Sequence, residues 1–300
     1  MSHSRYRHRK KRFLTRVRKR PVKTITLLPS LVTTLNGVCG FGAIVFAAGG
    51  TPIGQFGNHM IIACYLVFIG MIADMMDGHL ARLSQSTSSF GGQLDSLCDI
   101  ISFGIAPAFI MLSLITGLLA ESDLPSQPVI IRGLWLCALV YVCCTAIRLA
   151  RFNVENEKTH SEDHSTFTGL PSPAAAGLVC SLTLVYELYE KALSTSIIPM
   201  ILPLITMGAG VLMVSRIKYP HIANHYLKGK KPISYLIVLL LPIWALIVYT
   251  EITLALFASG FALSGVLRAA VVKLKHKPSA PKNQSAPVLT APVAEPPEKS

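Results

Sequence analysis

Eight runs of about 20 mostly apolar residues follow one another along the chain, separated by short polar breaks, and about 20 such residues are what an α-helix needs to cross a bilayer. They cover approximately residues 30–49, 59–82, 90–119, 130–151, 172–190, 196–215, 232–249 and 251–270, the third being long enough to tilt or to extend past the bilayer face. Lipid leaves unpaired backbone amides without partners, so helices are the remaining solution for runs of this length. The predicted fold is therefore all-α: a polytopic membrane protein with about eight transmembrane helices. Composition agrees, since 51% of the residues are hydrophobic, 14% are charged and the mean hydropathy is +0.51, too oily for a water-soluble domain of 300 residues.

A formal charge of +13 would suggest an anionic partner if it were spread over the whole chain. It is not. Residues 1–23 carry eleven Lys or Arg and no acid, and residues 271–300 carry five Lys against Glu295 and Glu298. The body from 24 to 270 holds twelve basic and thirteen acidic residues, a net of −1. A basic nucleic-acid-binding domain is excluded, as is disorder over most of the chain; the partner expected from this distribution is the lipid bilayer.

Positive residues in short loops stay on the cytoplasmic side, which orients the spans. With both termini inside, the inner loops and helix ends hold Arg82, Arg148, Arg151, Lys158, Arg216, Lys218, Lys228, Lys230 and Lys231, whereas the outer ones hold only Arg132 and Lys191. Acids near the outer ends (Glu121, Asp123, Glu187, Glu190 and Glu251) fit the same placement. The expected location is the cell (inner) membrane, multi-pass, with both termini cytoplasmic.

Four segments follow. Residues 1–24 form a basic cytoplasmic tail in which Tyr6, Phe13, Leu14 and Val17 are mixed with Lys and Arg. Such a tail can lie on an anionic leaflet, each basic residue contributing about 1 kcal/mol, or can serve only to set topology. Residues 25–215 form a six-helix core, residues 216–275 add two spans with their flanks, and residues 276–300 read as a disordered tail with six Pro among Ala, Ser and Lys. The seven cysteines, Cys39, Cys64, Cys98, Cys137, Cys143, Cys144 and Cys180, all fall inside apolar spans without C-x-x-C spacing. They read as small buried residues.

The costly feature lies in the second and third spans. Asp74, Asp77, Asp95 and Asp99 all occur within 26 residues, and each ionised carboxylate inside a span costs roughly 2.5–3.5 kcal/mol on the permissive insertion scale. Asp74 and Asp77 are three residues apart and Asp95 and Asp99 four apart, so each pair shares one helix face. At about 1.5 Å per residue, Asp74 and Asp99 each lie roughly 12 Å from the inner ends marked by Arg82 and Gly91. The other two lie closer to that face, so in an antiparallel hairpin the four acids meet near the cytoplasm. No basic residue of either span lies at their depth. Two divalent cations would cancel the charge, and oxygen-only ligands favour Mg²⁺ or Mn²⁺ in an arrangement suited to phosphoryl-group displacement. Gly78, Ala81, Gly91 and Gly92 allow close approach of the helices and of a bulky phosphate ligand. A cation-coupled transporter would also place acids in spans, but its broken half-helix repeats are not evident here.

Written out, the spacing is D-x2-D-G-x2-A-R-x8-G-x3-D-x3-D, from Asp74 to Asp99. It resembles the signature of the CDP-alcohol phosphatidyltransferases at all eight fixed positions, and a chance match is on the order of 10⁻⁹ per starting position. The resemblance implies transfer of the phosphatidyl group of a CDP-linked lipid, CDP-diacylglycerol, to an alcohol with release of CMP. It further implies that Asp74, Asp77 and Asp95 hold the two metals, with Asp99 at the edge of the metal site as general base. Gly78, Ala81, Arg82 and Gly91 would line the cytidine-diphosphate pocket, and a homodimer is expected.

Two more segments resemble the serine-accepting branch of that family: Leu28 to Asn36 with Gly37 and Gly40, and Arg148 to Val154 leading to Phe167 through Ala176. Resemblance thus extends over roughly residues 25–215 and implies L-serine as the acceptor, with glycerol phosphate or an inositol phosphate as the alternative. Serine presents a carboxylate that Arg148 and Arg151 can hold by paired hydrogen bonds, with Asn153 and Ser172 as neutral partners. The pairs His160/His164 and His221/His225 lie in polar loops with no acid pattern around them and read as surface histidines.

Overall fold

A computed structural model of the protein describes residues 27–49, 58–83, 89–121, 128–158, 166–190, 197–220 and 248–275. Helix α1 (Leu27–Ala47) is followed by α2 (His59–Leu83) and by α3 (Ser89–Asp99), which runs through a π-helical stretch (Ile100–Ile105) into α4 (Ala106–Glu121). Then come α5 (Pro128–Lys158), strand β1 (Thr166–Thr168), α6 (Ser172–Val185) with a π-helical continuation (Tyr186–Glu190), α7 (Ile197–Val214), strand β2 (Lys218–Pro220) and α8 (Thr250–Lys275). Seven of the eight predicted spans are among these elements. Residues 232–247, both tails and His160, His164, His221 and His225 lie outside the described residues.

Among the described residues, six stretches are long and apolar enough to cross a membrane. Their packing is that of a polytopic membrane protein, with polar groups turned inward. Thr33, Asn36, Asp77, Asp99, Ser102 and Ser172 are buried, while Leu31, Phe41, Leu136, Met200, Leu204 and Phe257 are exposed. Water would penalise that distribution; hydrocarbon favours it. Buried hydroxyls are satisfied along their own helices, as where Thr145, Thr183 and Thr206 donate to the carbonyls of Tyr141, Val179 and Leu202. Five of the seven cysteines are buried as expected, but Cys144 is only half-buried and Cys143 is exposed, because its face of α5 points outward beside Leu136 and Leu139.

The π-helical stretch has an identifiable cause. Pro107 has no N–H to offer a carbonyl one turn back, so the helix widens there, and the Ala106 amide reaches the Ile101 carbonyl five residues away. The Phe103 carbonyl left over accepts from the buried Tyr141 hydroxyl at 3.0 Å. Removing that donor strands a buried carbonyl, which costs about 1–3 kcal/mol. Tyr141→Phe is therefore expected to lower the thermal unfolding midpoint of the detergent-solubilised protein, and an unchanged midpoint would contradict this account of the widened turn.

The two strands were not foreseen. They pair antiparallel, Phe167 opposite Tyr219, and strap the segment before α6 to the end of α7. The Gly169 amide donates to the Ile217 carbonyl at 2.8 Å and the Leu170 amide to Leu212 at 3.1 Å. Gly169 adopts φ +87°, and a methyl carbon there would sit 2.2 Å from the Met213 carbonyl oxygen, so glycine is required twice over. The strap fixes where α6 begins. At the opposite end of the bundle the Tyr65 hydroxyl donates to Glu251 at 2.7 Å and the Asn58 amide to Glu187, tying α2 to α8 and to the end of α6.

Candidate active site

The α2–α3 hairpin brings three of its four acids together, with Asp99 inside the group and Asp77 outside it, where the family resemblance implies Asp77 as a ligand and Asp99 at the edge. One carboxylate oxygen from each of Asp74, Asp95 and Asp99 lies within 4.8 Å of the others. Asp77 is buried one turn further along α2, outside that trio but within electrostatic reach of all three. The Thr33 hydroxyl and the Gly78 amide face it as donors. Two buried oxygens, Asp77 Oδ2 and Asp95 Oδ1, have no hydrogen-bond partner. Orphaned carboxylate oxygens in a low-dielectric interior are expensive, and a cation is the partner that an all-oxygen donor set accepts. The trio could therefore hold a metal ion.

Helix α1 forms one wall. The Asn36 side-chain amide donates to Asp99 Oδ1 at 3.0 Å, and the Ser102 hydroxyl donates to the Asn36 backbone carbonyl at 2.7 Å. Close contact between these helices is made at Gly37 and Gly40: a Cβ on Gly40 would lie 2.6 Å from the Ser102 Cα, and one on Gly37 would lie 3.0 Å from Cys98 Sγ. The expectation that Gly78 and Gly92 serve close helix packing is not met, since a methyl group at either would meet no atom within 4 Å. Gly78 is exposed and Gly91 half-buried. Ala81 and Arg82 lie in the last turn of α2, with side chains outside those described.

The other wall comes from α5 and the start of α6. Arg148 is half-buried and donates from Nη1 to the buried Ser172 hydroxyl at 2.7 Å. Its guanidinium is within electrostatic reach of Asp74 and Asp99, so a positive charge does face the acids, supplied by a third span. Asn153 and Ser96 are hydrogen-bonded to each other, the Asn153 amide donating at 2.9 Å, which ties α5 to α3 just beside Asp95. Arg151 is half-buried one turn along from Arg148. The structure thus gathers Asp74, Asp77, Asp95, Asp99, Arg148 and Ser172 around one region. Sequence reasoning gave no role to Thr33, Asn36 or Ser102. Thr33 and Asn36 lie in the Leu28–Asn36 segment that resembles the serine-accepting branch, and Ser102 is signalled only as a polar residue inside an apolar span.

The sequence profile of the CDP-alcohol phosphatidyltransferases matches residues 26–214, well over half of the chain. The chain belongs to the CDP-alcohol phosphatidyltransferase family. Among similar members, a CDP-diacylglycerol–serine O-phosphatidyltransferase of Helicobacter pylori strain J99 is 33% identical over 248 residues, covering 83% of this chain and 93% of the relative. The Bacillus subtilis protein of the same name is 32% identical over 198 residues, covering 66% and 92%. A third, from Methanocaldococcus jannaschii, is 30% identical over 203 residues, covering 68% and 78%. The region matching the family profile carries all four aspartates, Asn36, Arg148 and Ser172, whereas α8 lies beyond it.

Proposed function

We propose that this family member is a phosphatidylserine synthase, transferring the phosphatidyl group of CDP-diacylglycerol to the hydroxyl of L-serine and releasing CMP. The observation that carries the reading is the convergence of Asp74, Asp95 and Asp99 within 4.8 Å, in a chain whose relatives over most of its length bear that activity in their names. Asp74, Asp77, Asp95 and Asp99 would hold two divalent cations, Mg²⁺ or Mn²⁺, which when bound neutralise charge on the diphosphate and on departing CMP.

The remaining steps belong to the chain. Asp99 takes the proton of the serine hydroxyl as its oxygen attacks the phosphorus that carries the diacylglycerol; the new O–P bond forms while the bond from that phosphorus to the CMP oxygen breaks. A carboxylate is needed because a hydroxyl is a poor nucleophile at neutral pH. Gly78, Ala81, Arg82 and Gly91 line the pocket for the cytidine diphosphate, the open space at Gly78 being consistent with that use. Arg148 and Arg151 hold the serine carboxylate, with Asn153 and Ser172 beside them.

Residues 25–215 carry this chemistry and residues 216–275 add further spans. The excess of Lys and Arg in alternate loops supports an orientation with both termini and the active site at the cytoplasmic face of the inner membrane. There soluble serine and CMP exchange with water while acyl chains stay in the leaflet. Membership of the family supports a homodimer. Offered serine, glycerol phosphate or inositol phosphate in turn, the purified protein is expected to release CMP from CDP-diacylglycerol at least about tenfold faster with serine, a discrimination equal to one well-placed charged contact. Faster release with either of the other alcohols would reassign the acceptor.

A further inference from the structure

We propose that Asn36 is a positioning residue for Asp99: it holds the carboxylate in the direction from which it takes the serine proton. The inference rests on the reading of Asp99 as the base. Asn36 is wholly buried in the middle of an apolar helix, and its side-chain amide donates to Asp99 Oδ1 at 3.0 Å. With one oxygen held, the carboxylate no longer swings about its Cβ–Cγ bond, a torsion that is otherwise broad.

The backbone of the same residue fixes the other side of the site. Its carbonyl accepts from Ser102 at 2.7 Å, inside the π-helical stretch that begins immediately after Asp99. One residue of α1 therefore ties down both Asp99 and the widened turn, and the glycine contact at Gly40 keeps the two backbones at that separation. Widened turns of this kind recur at functional sites, and this one is anchored to the residue that holds the base.

A third observation separates this from ordinary packing. Asn36 Oδ1 is buried without a hydrogen-bond partner and faces Gly70 of α2, where a Cβ would lie 2.9 Å away. An apolar residue would fill the space without stranding an acceptor, so the amide is retained at a cost in stability. What it uniquely supplies is a neutral donor that aims a carboxylate without cancelling its charge. Gly70 is the position whose missing side chain leaves the amide room to do so.

Asn36→Ala removes the donor, whereas Gly70→Ala leaves it in place and pushes it from behind. Both are compared with wild type and with a control, Thr34→Ala, at an exposed residue of the same helix. In the detergent-solubilised full chain, kcat for serine-dependent CMP release is expected to fall about 10- to 100-fold in both, the scale of a small misalignment of a reacting group. KM for serine and for CDP-diacylglycerol, and Mn²⁺ binding followed by electron paramagnetic resonance without substrates, should stay within about threefold of wild type, far below the misalignment effect. The control should match wild type throughout. If Asn36→Ala does not fold, Gly70→Ala carries the same expectation. A kcat near wild type overturns the inference, and so does a kcat loss matched by an equal loss of Mn²⁺ affinity, which would mean that the acidic cluster itself had come apart. Wild-type protein without serine-dependent release would instead overturn serine as the acceptor, and wild-type activity in Asp99→Asn would overturn the reading of Asp99 on which the inference rests.

Discussion

Asp99→Asn and Asp95→Asn should each lower kcat for CMP release by about 10³-fold or more while the protein remains folded in the membrane, a loss within the range for removing a general base. The substitution keeps size and shape, deletes the charge and turns one acceptor oxygen into an N–H donor. At Asp99 the replacement oxygen can still accept from the Asn36 amide, so the α1–α3 tie survives and the deficit reads on chemistry. At Asp95, whose Oδ1 is buried and unpartnered, the change takes the negative charge out of the group whose oxygens converge within 4.8 Å. Removing a buried, mutually repelling charge should not destabilise the fold, so the thermal midpoint is expected to hold or rise. Full activity in either variant would rule out the proposed mechanism.

The second large effect is on serine. Arg148→Ala should raise KM for serine by about 10- to 150-fold, the equivalent of about 1.5–3 kcal/mol for a hydrogen bond to a charged group. KM for CDP-diacylglycerol should move far less. Arg148→Lys keeps the charge but not the planar fork, so it should restore only part of the loss. Arg151→Ala is expected to act in the same direction. The anchoring bond from Arg148 to the buried Ser172 hydroxyl predicts a smaller rise of the same kind for Ser172→Ala, because the guanidinium would lose the contact that aims it. Should Arg148→Ala and Arg151→Ala both leave KM for serine unchanged, the carboxylate clamp is wrong.

The acidic hairpin was legible because its signal is expensive: four charges in apolar runs, at spacings of three and four, leave few ways to fold and fewer to neutralise. The spans were legible for the same reason, since lipid enforces run length. What escaped was set by contacts between distant segments. Asn36 stands 63 positions from Asp99, and no helical periodicity reports which residue of another helix a side chain will meet. The β1–β2 strap is three residues a side, too short to show alternation, and depends on Gly169 fitting against the end of α7. Pro107 could have announced the widened turn, but proline inside a span is also compatible with a simple kink. Small residues at Gly78 and Gly92 suit close approach of helices or of a phosphate ligand, but no atom lies within 4 Å of a Cβ at either, and the tight helix contacts around the acids fall at Gly37, Gly40 and Gly70.

Purified protein in detergent is given CDP-diacylglycerol, isotopically labelled serine and Mg²⁺ or Mn²⁺, and both CMP and labelled lipid are followed. CMP and serine-labelled lipid are expected to form one for one, and both to stop when the divalent cation is chelated. CMP release without serine entering lipid, or transfer that persists in full after chelation, would contradict the proposed mechanism.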